Sequence, residues 1–139
     1  MIFVDANVLM YAAGSDHPMR DPSRRILNAV SDRSIDAVTS AEVVQEIVHR
    51  YLAIGRADGG LALAERTMDL FAPVLPITHA LMRRVPGLAR RYPALAARDL
   101  IHVATCIHEG ISDILSTDRG FDAVREIRRI APEDFAVPG

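Results

Sequence analysis

No lysine occurs anywhere in the 139 residues; all sixteen basic side chains are arginine. That absence removes whole classes of chemistry. A phosphate-loop NTPase needs the lysine of its loop, and a pyridoxal-phosphate Schiff base needs a lysine amine. Receiver domains and haloacid-type phosphatases also set acids at strand ends, but they complete their sites with a lysine. Cysteine is nearly as scarce: Cys106 stands alone, so no internal disulfide forms. Every apolar segment is interrupted by acids or arginines before it approaches the roughly 20 residues of a membrane-spanning helix. The N-terminal MIFVDAN meets its first charged side chain at position 5, which does not suit a secretory signal, so the expected location is the cytoplasm. A serine-hydrolase elbow, Gly-x-Ser-x-Gly, is missing. His102 and Cys106 are spaced i, i+4, but no second pair has zinc spacing, so a packed histidine and a buried thiol are the expectation there.

What is present suits one globular domain over residues 1–139: 50% apolar, 24% charged, net charge −2. A net negative chain is no nonspecific nucleic-acid coat. The stretch RRVPGLARRYPALAAR nevertheless carries Arg83, Arg84, Arg90, Arg91 and Arg98 without one acid, which gives a local positive field or a solvated helix face.

Short apolar runs bounded by acids or turn residues predict strands at Ile2–Val4, Ile35–Val38, Val74–Ile77 and Ile114–Leu115, with a weaker one near Ile127–Ile130. Helical periodicity covers Pro22–Val30, Ala41–Ile54, Leu61–Leu70, Thr78–Arg91 and Ala97–Glu109. Gly55 and Gly110 suit helix ends, and Pro86-Gly87 and Pro93 break the later helical region. Strands alternating with helices imply a parallel α/β sheet covered on both faces.

In such a sheet, ligands bind beyond the carboxyl ends of the strands. The residues standing there are acidic. The first strand delivers Asp5, with Asn7 two positions on; the fourth delivers Ser116 and Asp118 within STDRGFD, with Asp122 close behind. Either aspartate alone reads equally well as a helix cap. Two carboxylates directed into one crevice, however, repel each other and call for a divalent cation. The helix Ala41–Ile54 adds Glu42 and Glu46. Glu42 fits a capping box with Thr39, whereas Glu46 lies a turn deeper, either paired with Arg50 or facing the crevice. Asp99 opens the most apolar helix of the chain, where it serves the helix dipole or stands at the mouth of the same crevice.

Four pieces in order, IFVDAN, TSAEVVQEIVHRY, ARDLIHVATCIHEG and ILSTDRGFD, make the whole chain resemble a PIN domain of the VapC type, the toxins of bacterial toxin–antitoxin pairs. Carried over residue by residue, the resemblance places the family's four acids on Asp5, Glu46, Asp99 and Asp118. Asn7 and Ser116 fall on supporting polar positions, and Asp122 on an optional acidic one. Ala6 departs from the pattern, since many members carry a serine or threonine there. The resemblance implies a three-layer α/β/α fold around a parallel sheet of four to five strands, Mg²⁺ or Mn²⁺ dependence, RNA cleavage, a homodimer and a VapB-type antitoxin partner. Hard oxygen donors suit those two ions, with Asp5 and Asp99 as leading ligands and Glu46 and Asp118 completing the shell or holding the water. Arg83, Arg84, Arg90, Arg91, Arg98 and Arg119 are the expected RNA-binding arginines. Two other readings stand beside this one: a catalytically idle α/β interaction module, and a metal-dependent phosphatase or DNA nuclease.

Overall fold

The first strand, β1 (Ile2–Val4), is buried on both of its faces, and that fixes its place at the middle of the fold. Alternate residues of a strand point to opposite sides, so a strand with all three residues buried must be covered above and below. In the computed structural model, which describes residues 1–138, β1 pairs in parallel with β2 (Ala37–Val38) on one side and β3 (Asp113–Leu115) on the other. A last strand, β4 (Arg128–Ile130), extends the sheet to the order β2-β1-β3-β4. Seven α-helices surround it among the described residues: α1 (Ala6–Ala13), α2 (Arg20–Ser31), α3 (Ala41–Ala53), α4 (Ala57–Leu70), α5 (His79–Met82), α6 (Val85–Arg91) and α7 (Ala97–Glu109). The result is the expected α/β/α sandwich, with four strands. None of the helices is long and apolar enough to cross a membrane.

The register of β1 against β3 matters most for the site. Val4 stands opposite Leu115, and the Asp5 amide continues the ladder by donating to the Leu115 carbonyl at 3.0 Å. Asp5 and Ser116 are therefore neighbours at the carboxyl edge of the sheet. There the chain turns directly into α1, a helix that periodicity did not predict. The segment ANVLMYAA is apolar on nearly every side and has no polar stripe to mark a period, because α1 is buried along much of its surface.

Other departures have local causes. Val74–Ile77 makes only an isolated bridge, Ser40 with Leu75, instead of a fifth strand. Pro73 and Pro76 on either side of that contact lack the N–H groups a longer ladder needs. The predicted helix Thr78–Arg91 is divided into α5 and α6 at Arg83 and Arg84, with Pro86 in the first turn of α6, where its missing N–H costs nothing. Helix α4 starts at Ala57, earlier than Leu61, and passes through Gly59-Gly60. A Cβ at Gly60 would fall far inside van der Waals contact with Cβ of Tyr51, so this glycine serves the close approach of α3 and α4. Gly110 ends α7 in the left-handed region at φ 69°, as its position suggested.

Candidate active site

Each predicted acid is carried by a different element, and the sheet register draws them together. Asp5 leaves the end of β1 and does two things at once: Oδ1 accepts from the Ala6 amide at 2.7 Å, capping α1, and the side chain lines a cavity of about 340 Å³. Glu46 reaches that cavity from α3, Asp99 from the first turn of α7, and Asp118 from the turn after β3. Asp5, Glu46 and Asp99 are buried; Asp118 is exposed at the rim, where Oδ1 caps a short 3₁₀ turn by accepting from the Gly120 amide at 2.9 Å.

Asn7 and Ser116 hold Asp5 in place. The Ser116 hydroxyl donates to Asp5 Oδ2 at 2.7 Å, and Asn7 Nδ2 donates to the same oxygen at 3.1 Å. In return, Asn7 Oδ1 accepts from the Thr117 amide at 3.1 Å and Ser116 Oγ from the Asp118 amide at 3.0 Å. These bonds tie the two strand ends into one unit and aim the turn that carries Asp118. The hydroxyl missing at Ala6 is not what orients Asp5 in this chain.

Cap positions settle which glutamate enters. The N-cap of α3 is Ser40, whose Oγ accepts from Val43, and Thr39 instead donates to the Val4 carbonyl at 2.8 Å. The predicted capping box is thus shifted by one residue, and Glu42 becomes the second helical residue. It does not line the cavity; Glu46 does.

A fifth titratable group occupies the floor. His102 is fully buried on α7, with Nε2 at 3.3 Å from Glu46 Oε1 and 3.6 Å from Asp5 Oδ1. The expectation of a packed histidine holds for its burial but missed its partners. Its i, i+4 relation to Cys106 carries no zinc site; the buried thiol is pushed up to about 12 by desolvation and the nearby Asp5 charge. The sequence signal for His102 was its spacing, three residues after Asp99 on one helix face.

The charges respond accordingly. Burial pushes Asp99 up from 3.8 to about 6, helped by the charges of Asp118 and Asp5. Asp5 is also raised, by burial above all, despite His102 and the Ser116 hydrogen bond. Burial pushes Glu46 the same way, but the hydrogen bond and charge of His102, with Arg98 behind them, bring it below the usual carboxylate range. Burial alone would lower His102; Glu46, Asp5 and Asp99 together raise it. Crowded, partly desolvated carboxylates of this kind are a donor set that a divalent cation fits, since its charge offsets the burial, and the lesser mutual repulsion, that lift Asp5 and Asp99.

Not every predicted residue comes here. Asp122 turns outward and pairs with Arg129 through two bonds of 2.8 and 3.2 Å. Arg91 is engaged by Glu126, which Tyr92 also bonds, and Arg83 lies beside His79. Arg84 and Arg90 lie on the surface off the cavity, and Arg119 lines a separate cleft with Thr117 and Arg129. Of the expected arginines only Arg98 lines the cavity, with Nε 3.7 Å from Glu46 Oε2. Arg50 and Arg56, from the end of α3 and the loop after it, line it as well and were not anticipated. A larger cleft of about 470 Å³ between α1, α2 and α4 has Arg24 and Arg66 in its wall but no carboxylate.

Parallel strands, strand-end acids and a shared cavity define a class. The family model described as PIN domain matches residues 2–127, and the chain belongs to that family. Within it, the chain is similar to ribonuclease VapC13 of Mycobacterium tuberculosis, 37% identical over 131 residues that cover 94% of this chain and 100% of that protein. It is similar to ribonuclease VapC23 of the same organism at 39% identity over 121 residues, 85% of this chain and 93% of that one. Among solved structures, Mycobacterium tuberculosis VapC20, titled a Sarcin-Ricin loop cleaving toxin, superposes with a TM-score of 0.74 over 90% of this chain and 95% of that chain at 17% identity, which speaks to the fold.

Proposed function

We propose that this protein is a metal-dependent endoribonuclease, the toxin component of a type II toxin–antitoxin pair. The observation that supports it best is the convergence of Asp5, Glu46, Asp99 and Asp118 on one cavity at the carboxyl edge of the sheet. RNA as the substrate class follows from the VapC ribonucleases that the chain matches over nearly their whole length.

Asp5 and Asp99 would hold the ion directly, while Glu46 and Asp118 complete its shell or hold the attacking water. With four hard oxygen donors, Mg²⁺ or Mn²⁺ is the expected ion. When bound, such an ion supplies charge to the phosphoryl oxygens and makes water a competent nucleophile near neutral pH. The rest falls to the chain. Ser116 and Asn7 keep Asp5 in one orientation, and Glu46 stays anionic because His102 and Arg98 face it. An acidic cavity repels RNA, so the substrate backbone needs cations at the rim. Arg50, Arg56 and Arg98 are placed for that role, with phosphate flanking the cut bond as their ligand.

A VapB-type antitoxin would silence the site by presenting a cationic side chain to the same acids. A homodimer is the proposed assembly, and the exposed Leu52, Ile54 and Leu61 at the α3–α4 corner are apolar residues available to it. The functional reading is tested by incubating the pure protein with RNA, DNA and a small phosphoester, with Mg²⁺ and with EDTA. Cleavage of RNA alone, and only with the ion, is the expected result. Cleavage of DNA or the phosphoester in preference, or of nothing, would refute it.

A further inference from the structure

His102 is the buried polar group at the site that the four acids leave unexplained. It stands one turn after Asp99 on α7, and its Nε2 lies between two carboxylates that arrive from separate elements, 3.3 Å from Glu46 and 3.6 Å from Asp5. The ring does not line the cavity; it lies beneath the floor that Asp5 and Glu46 form. Its other nitrogen, Nδ1, is buried with no partner. A buried N–H without an acceptor is rarer and costlier than an under-used acceptor, so the hydrogen belongs on Nε2, where two carboxylate oxygens wait.

The two acids depend on this contact unequally. Asp5 also accepts from Ala6, Asn7 and Ser116. Among the described residues Glu46 has one side-chain hydrogen bond, from His102, with the half-exposed Arg98 guanidinium at 3.7 Å and the charge of Arg50 behind it. A packing role, by contrast, would need only the shape of the ring against Phe3, whose ring centroid is 5.4 Å away.

We infer that His102 is a positioning residue: its Nε2–H donates to Glu46 from below, with Asp5 in charge contact at 3.6 Å, and holds the Glu46 carboxylate beside Asp5 for a divalent ion, without itself being a ligand. Because Asp99 lies on the same face of α7, one helix presents a third acid at the mouth and the hydrogen bond under Glu46. This inference rests on the metal-dependent reading of the site.

Mn²⁺ is the probe, titrated into the full chain and followed by electron paramagnetic resonance in the wild type, His102→Leu and His102→Gln. A glutamine amide reaches the place of Nε2 and donates; leucine only fills the volume. Losing an outer hydrogen bond to a metal-holding group typically costs about 10–100-fold in affinity, so His102→Leu should lose that much and His102→Gln should recover to within about threefold of wild type. Circular dichroism should stay native in both. His102→Asn, whose amide reaches Nδ1 instead, should lose affinity as leucine does, and it replaces the leucine variant if that one does not fold. Equal Mn²⁺ affinity in all variants, or no recovery with glutamine, would overturn the inference and leave the metal reading standing. A coupling from directly bound nitrogen that vanishes in His102→Leu would also overturn it, by making the histidine a ligand. A wild type that binds no Mn²⁺ would overturn the metal reading together with the inference.

Discussion

Replacing Asp99 with asparagine removes one of the crowded charges while keeping nearly the same shape, so in the metal-free protein it should stabilise the fold. The folded carboxyl is raised from 3.8 to about 6. A raised folded value means that the associated stability is present below pH 3.8 and is lost as the pH climbs through about 6. Above pH 7 the full shift would amount to on the order of 3 kcal/mol, which solvent at the mouth of the cavity screens to about half. Against this, the charge at the start of α7 gains about 0.3–1 kcal/mol from the helix dipole, which asparagine forgoes. The net gain for Asp99→Asn is therefore about 1 kcal/mol. With an unfolding entropy of about 2.1 cal/mol/K per residue, that is roughly 3 °C in Tm for a chain of this length. The assay is a thermal scan in EDTA at pH 7.5 and at pH 4, comparing variant with wild type at each. The difference should be a few degrees at pH 7.5 and close to zero at pH 4. Millimolar Mg²⁺ should raise the wild type more than the variant, since the ion binds the native state. A variant that melts at or below the wild type in EDTA at pH 7.5 would refute the claim that the buried, crowded Asp99 charge strains the metal-free site.

Two further substitutions probe different layers of the account. Arg50→Ala and Arg56→Ala should each raise the KM for RNA several-fold and flatten its salt dependence, whereas Arg84→Ala and Arg90→Ala should leave both unchanged in the same cleavage assay. Gly60→Ala places a methyl group against the Tyr51 side chain at the α3–α4 crossing and should cost about 1–3 kcal/mol in denaturant unfolding, although alanine is the better helix former.

The sequence made Asp5, Ser116 and Asp118 legible because apolar runs that end in acids mark strand ends, and a parallel sheet puts ligands at those ends. Glu46 was separable from Glu42 only by burial, which a helix that is apolar along one broad stripe leaves open. His102 was hidden for a different reason. Its partners lie at the end of β1 and on α3, far away in the chain, and its local spacing to Cys106 suggested nothing beyond a packed ring. The arginines misled through local density. Their run at 83–91 belongs to α5 and α6, away from the cavity, while the solitary Arg50 and Arg56 reach it because α3 overhangs the sheet edge. Helix α1 and the lost strand at Val74–Ile77 show the same limit in the fold. A helix with apolar residues on nearly every side has no period to read, and an apolar run between prolines has no ladder to join.

Calorimetric titration of Mg²⁺ beside an RNA cleavage assay, in wild type, Asp5→Asn and Glu42→Gln, tests the central claim most directly. Asp5 lines the cavity, whereas Glu42, in the first turn of α3, does not. The wild type and Glu42→Gln should bind the ion and cut RNA alike, and EDTA should stop both. Asp5→Asn should keep a native circular dichroism spectrum, lose the binding heat and lose cleavage. Undiminished Mg²⁺ binding and cleavage in Asp5→Asn would contradict the account at its base, because the ring of carboxylates would then not be what holds the ion.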